Sequence, residues 1–144
     1  MSKTISYKGQ LNIGEQDRIR LKTNTGKTGY RITKFQMIIS DHSNNTYELI
    51  AQIFKTDQTG SITDIVNFTN SDLLAVAFQD AHGDYNNGET IIFDNAKFNQ
   101  DIFINITDAK AGTTPVNYYI ELEAMSLSDI ETTQLTLQSI RNLS

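Results

Sequence analysis

Residues 116–125 read VNYYIELEAM. Tyr118, Ile120, Leu122 and Ala124 fall on one side of this segment, and Tyr119, Glu121 and Glu123 on the other. A period of two with one apolar side describes a half-buried β-strand. The alternation recurs in Phe35, Met37 and Ile39, in Tyr47, Leu49, Ala51 and Ile53, and in Ile102, Ile104 and Ile106. The chain is therefore read as an all-β domain.

Composition agrees with that reading. The 144 residues include 18 Ile and 17 Thr, whose branched side chains suit a pleated surface, and 13 Asn, which suits turns. This length holds one core that stands without crosslinks. Cys is absent, which excludes disulfides, thiolate metal sites and thiol nucleophiles. No apolar run approaches the roughly 18–20 residues of a membrane helix, and the first residues, MSKTISYKGQLNIGE, carry no signal-peptide core. A net charge of −5 argues against a general phosphate-binding surface, so neither nucleic acid nor membrane is expected as a partner. The basic residues Lys8, Arg18, Arg20, Lys22, Lys27, Arg31 and Lys34 lie early in the chain and read as solvated strand faces, the alternative being a mild polarity that docks the domain on an acidic neighbour.

Outward from the deciding segment, the pattern predicts strands at Ile5–Ile13, near Arg18–Lys22, at Tyr30–Ser40 and at Thr46–Lys55. Tyr30–Ser40 and Thr46–Lys55 flank Asp41–Asn45 and read as a hairpin. A short strand is expected over Ser61–Val66, then an apolar one over Leu73–Gln79 whose buried face periodicity does not assign. Asp80–Gly88 reads as a polar loop, followed by strands at Glu89–Phe93, Lys97–Asp108 (interrupted near Asn99-Gln100) and Val116–Met125. The only proline, Pro115, falls in a loop. Ser128 precedes Glu131 by three residues, a capping-box spacing that predicts a short C-terminal helix, although Gln134–Gln138 alternates as a strand would. Eight or nine antiparallel strands predict an antiparallel β-sandwich, jelly-roll-like, over residues 1–127, with 128–144 as a helical or extended segment packing on the sheet or on a neighbouring subunit. An immunoglobulin-like sandwich ranks second, lacking its Cys and Trp signature.

Few residues suggest chemistry. Asp80, Asp84, Tyr85, Asn86 and Glu89 offer hard oxygen ligands and an aromatic ring, but their spacing is not that of an EF-hand, so no metal is assigned. His42 and His82 read as exposed turn residues, with no nucleophile and orienting acid set beside them. No catalytic residue and no cofactor are expected.

The closing stretch VNYYIELEAMSLSDIETTQLTLQSIRNL resembles the end of small virion structural proteins of marine tailed bacteriophages. There a final strand with a Y-[YF]-[IL]-E-[LV]-E pattern leads into a segment ending near I-R-N. Tyr118 to Glu123 match the first pattern, and Ile140, Arg141 and Asn142 the second. The resemblance covers the last quarter of the chain, and INITDAKAGTTP before it loosely. It implies a capsid- or tail-associated β domain carried on the virion in many copies, with no catalytic residues to carry over. The expected function is then non-enzymatic: a decoration, cement or tail component held by contacts with other virion proteins and in a homo-oligomer, a trimer being one arrangement. Ile130, Leu135, Leu137, Ile140 and Leu143 are the residues placed in that interface. The competing reading is a carbohydrate- or receptor-binding β-sandwich module, with Asp80–Glu89 as a calcium-supported ligand loop.

Overall fold

The computed structural model describes residues 3–21, 27–93, 96–128, 134–135 and 137. Among them are eight strands: β1 (Lys3–Leu11), β2 (Gln16–Ile19), β3 (Thr28–Ile39), β4 (Thr46–Phe54), β5 (Leu73–His82), β6 (Tyr85–Ile92), β7 (Ile102–Asp108) and β8 (Val116–Ser126). They form two antiparallel sheets in a sandwich-like arrangement, one of order β1-β8-β3 and one of order β2-β7-β4-β5-β6. The pairing is nested. First strand meets last, β1 with β8, while β2 meets β7 and β4 meets β5.

Alternation decides what each strand buries. β8 sends Val116, Tyr118, Ile120 and Leu122 inward, and β7 sends Ile102, Ile104 and Ile106 into the same core. On the other side of β8, Glu121 and Glu123 meet Lys34 at 3.7 Å and Arg31 at 3.2 Å, so the outer face of the smaller sheet is laced by ion pairs. Gly9 lies opposite Tyr118 in the β1–β8 register, and a Cβ there would sit 2.5 Å from the phenol oxygen. Gly9 thus makes room for the ring. The hydroxyl it admits donates to Asp17 Oδ2 at 2.8 Å, joining β8 of one sheet to β2 of the other.

Four expectations need correction. The strands at 30–40 and 46–55 exist but form no hairpin: β3 pairs with β8, while β4 pairs with β5 and β7. Between them the chain crosses from sheet to sheet, tied by Ser40 N to Pro115 O and by Asn44 Nδ2 to Thr114 Oγ1. No strand forms over 61–66, where Thr63 Oγ1 accepts from Ile65 N and the Thr63 and Ile65 carbonyls accept from Gln52 in place of a ladder. Asp80–Gly88 is the tip of the β5–β6 hairpin, turning at Gly83 with φ of 65°, as a first central glycine in a two-residue turn allows. The strand expected from Lys97 starts only at Ile102, with Phe98 making a single bridge to Tyr30. β5 proves buried on both faces, Leu74, Ala75 and Ala77 toward the core and Leu73 and Val76 with Phe54 on the outside. That is why its periodicity was mute.

Beyond Ser128 only Gln134, Leu135 and Leu137 are described, with helical backbone, and three residues define no element. Among the described residues no helix is long and apolar enough to cross a membrane.

Two outcomes test this packing. Ile104→Ala removes a fully buried side chain and is expected to cost about 2–5 kcal/mol in urea unfolding. Burial first, then the hydrogen bond to Asp17 and its charge, hold the Tyr118 phenol well above its ordinary value of 10. The unfolded chain therefore releases this proton first, so the contribution is intact below pH 10 and is lost as pH rises beyond it. Unfolding curves should show wild-type stability falling above pH 10 more steeply than Tyr118→Phe. Equal slopes would remove Tyr118 from the account.

Candidate binding surface on the outer face of the larger sheet

The outer face of the five-stranded sheet differs from its smaller counterpart. Residues 55–72, which connect β4 to β5, lie over it as a strap built from repeated local bonds. Asp57 Oδ1 accepts from Thr59 N at 2.8 Å and Thr59 Oγ1 at 2.6 Å, and Asn67 Oδ1 accepts from Thr69 N and Oγ1. Asn70 Oδ1 accepts from Asp72 N, and Thr56 Oγ1 donates to Asp72 Oδ2, closing the base of the strap. Such turns hold backbone without a sheet partner. The Thr59 hydroxyl first, then the Gln16 amide, hold the Asp57 carboxyl down at about 2.

A row of three amides runs across the sheet beneath the strap. Gln16 on β2 lies opposite Asn105 on β7, and Asn105 opposite Gln52 on β4. Gln16 grips one part of the strap, its Nε2 donating to Asp57 Oδ1 at 2.8 Å and its Oε1 accepting from Gln58 N at 2.7 Å. Gln52, 2% exposed, grips another through Nε2 to Thr63 O at 3.1 Å and Ile65 O at 3.4 Å. Between strap and sheet lies a chamber of about 280 Å³ bordered by Gln52, Phe54, Gln58, Asn70 and Asn105.

Beside the strap, an apolar groove of about 350 Å³ is floored by Ile50, Val76 and Phe78 and walled by Val66, Phe68 and Ile91, with Glu48, Asp80 and Glu89 at its margin. Phe68 also meets the Phe93 ring edge-on at 5.3 Å. Ile65 is 72% exposed, Phe68 57% and Ile91 39%, so the crest of the strap and the adjoining strand present an apolar band to solvent. At the margin Glu48 takes His82 Nε2 at 3.2 Å and Lys110 at 3.8 Å. Burial, then the Glu48 charge, push the Asp80 carboxyl up, with His82 opposing.

This arrangement divides the residues singled out in sequence between the two faces of the hairpin and its turn. Strand parity puts Tyr85 and Glu89 on the outer face with Asp80 and turns Asn86 to the inner one, while Asp84 sits in the turn. Asp80 and Glu89 meet at the margin of the groove, and among the described residues no group of three His, Cys, Asp or Glu is placed to hold a metal ion. His42 is an exposed turn residue, whereas His82 ends β5. Of the interface residues, Ile130, Ile140 and Leu143 lie outside the described residues. Leu137 is 55% exposed, and Leu135 is half-buried near Lys55, Phe98 and Asp101. The strap and the amide row were missed, although the spacing Asp57-x-Thr59, Asn67-x-Thr69 and Asn70-x-Asp72 marks successive side-chain turns.

No family model matches the chain, and no curated protein matches it in sequence.

The grip of Gln52 can be measured. Gln52→Ala leaves the Thr63 and Ile65 carbonyls without their donor and should cost about 1–3 kcal/mol. Amide exchange should accelerate across 61–66 and stay unchanged in β8. Unchanged exchange in the strap would show that it is held by other means.

Proposed function

We propose that the protein is a non-enzymatic structural part of a phage particle, a jelly roll that works by contact with other protein subunits. The observation that carries this reading is the apolar band of Ile65, Val66, Phe68 and Ile91 on the outer face of the larger sheet. Exposed apolar side chains clustered beside a groove, with carboxylates at the rim, are the anatomy of a subunit contact. The jelly-roll assignment rests on the nested order, in which β1-β8-β3 and β2-β7-β4-β5 run as the two sides of a rolled hairpin, with β6 added beyond β5 in the larger sheet. The placement on a virion rests on the resemblance of the closing stretch.

Copies of the chain are proposed to join along β6. Of the free sheet edges, β1 carries Lys3 and Lys8, β2 is four residues long with Arg18, and β3 carries Lys34 and a bulge between Ile32 and Lys34. Charges, short strands and bulges guard an edge against pairing. β6, YNNGETII, has none of these beyond Glu89, and a crevice of about 400 Å³ separates it from Gln36–Ile38 of β3. In a two-residue hairpin Tyr85 bonds its partner His82, so the odd-numbered residues of β6 face β5, as Phe93 N to Leu74 O continues. The N–H and C=O groups of Asn86, Gly88 and Thr90 then point to the free edge. An antiparallel copy centred on Gly88 sets Asn87 opposite Glu89 of its mate and Tyr85 opposite Ile91. The joint is a two-fold dimer, and the apolar band is left to the neighbouring virion proteins.

Sedimentation across a range of concentrations tests this. The wild type should dimerise. Asn87→Asp, which faces Glu89 of the mate twice, should weaken the dimer about tenfold, and Asn87→Lys should tighten it. The same charges placed at exposed Ser6 on the smaller sheet should change little. A monomer at every concentration, or a dimer indifferent to both Asn87 variants, would refute the joint.

A further inference from the structure

The middle amide of the row beneath the strap is unspent. Gln16 and Gln52 use their amides to hold the strap, but the Oδ1 of Asn105, a residue 1% exposed, has no hydrogen-bond partner. A buried polar atom without a partner costs free energy that an apolar residue at the same site would avoid. Asn105 also borders the chamber of about 280 Å³. We infer that this chamber is a binding site for a neutral, hydroxyl-rich ligand, a single sugar ring.

The lining decides the chemical class. No Asp, Glu, Lys or Arg borders the chamber, so nothing there compensates a charged ligand. Its polar groups are the amides of Gln52, Gln58, Asn67, Asn70 and Asn105 and the hydroxyls of Ser61 and Thr63. Gln52 and Gln58 spend Nε2 on the strap, and Asn67 and Asn70 spend Oδ1. The opposite amide atoms of these four, with the Oδ1 of Asn105, still give acceptors and donors together, and each sugar hydroxyl needs both. Phe54 supplies an apolar wall of the kind that covers the C–H face of a pyranose. The volume is just under the roughly 300 Å³ at which small-molecule pockets begin, which admits one ring and not a chain of them. The site is separate from the Asp80–Glu89 hairpin and needs no calcium. It is also independent of the β6 joint, since sugar binding and assembly mass are read separately.

Calorimetry of the full chain against glucose, galactose, mannose and N-acetylglucosamine, with glucose 6-phosphate as the charged control, tests the site. At least one neutral sugar should bind saturably and the phosphate should not compete. Asn105→Leu replaces the unpartnered amide by an apolar side chain of similar size. It should keep or raise the melting temperature and weaken sugar binding about tenfold or more. Ser61→Phe, at an exposed position on the strap, should block entry without touching the sheet. Absence of binding by every neutral sugar would assign the chamber to water alone, and binding that survives both variants would place the sugar elsewhere. Either result overturns the inference.

Discussion

Everything in this molecule is hung on two strands at the heart of the sandwich. β8 is flanked by β1 and β3 along nearly its whole length, β7 by β2 and β4, and their inward rows meet in one core. Ile102, Ile104, Ile106, Val116, Ile120 and Leu122 are wholly buried. Because side chains alternate with a period of two, burying one row fixes the register of both strands, and a slip of one residue would expose the row entirely. The Tyr118–Asp17 bond adds a polar link between sheets, and Gly9 is the vacancy that lets the ring lie there.

Unequal sheets follow from this frame and create the working surface. The smaller sheet answers its outward charges with ion pairs of its own, while the larger one carries its outer face into apolar and amide residues. The strap spans that face, held by Gln16 and Gln52, and raises Ile65, Val66 and Phe68 into solvent. A single connection thus builds an apolar crest above and a polar chamber below. The two uses proposed here, a subunit contact and a sugar site, draw on opposite sides of the same segment.

The sequence declared its strands wherever one face is wet. β8, β3 and β4 were legible because Glu121, Lys34 and Glu48 alternate with core residues. Pairing was less legible, since alternation says that a strand has a buried face and not which strand covers its edge. The 41–45 turn looks like a hairpin for that reason, though its residues carry the chain between sheets. The Asp80–Gly88 stretch misled through composition: an edge strand exposed on both faces has the polarity of a loop. The candidate site was the least legible part. Gln16, Gln52 and Asn105 are far apart in the chain, and only the β2–β7–β4 register makes them neighbours.

The absence of cysteine allows a direct test of which face is the working one. Single cysteines at Val66, at Ile91 and at Ser6 would be exposed in turn to a thiol reagent, in the free dimer and in the particle built with its neighbouring proteins. Assembly should shield positions 66 and 91 and leave position 6 as reactive as before. Shielding at position 6 with open reactivity at 66 and 91 would put the contact on the smaller sheet and contradict the account.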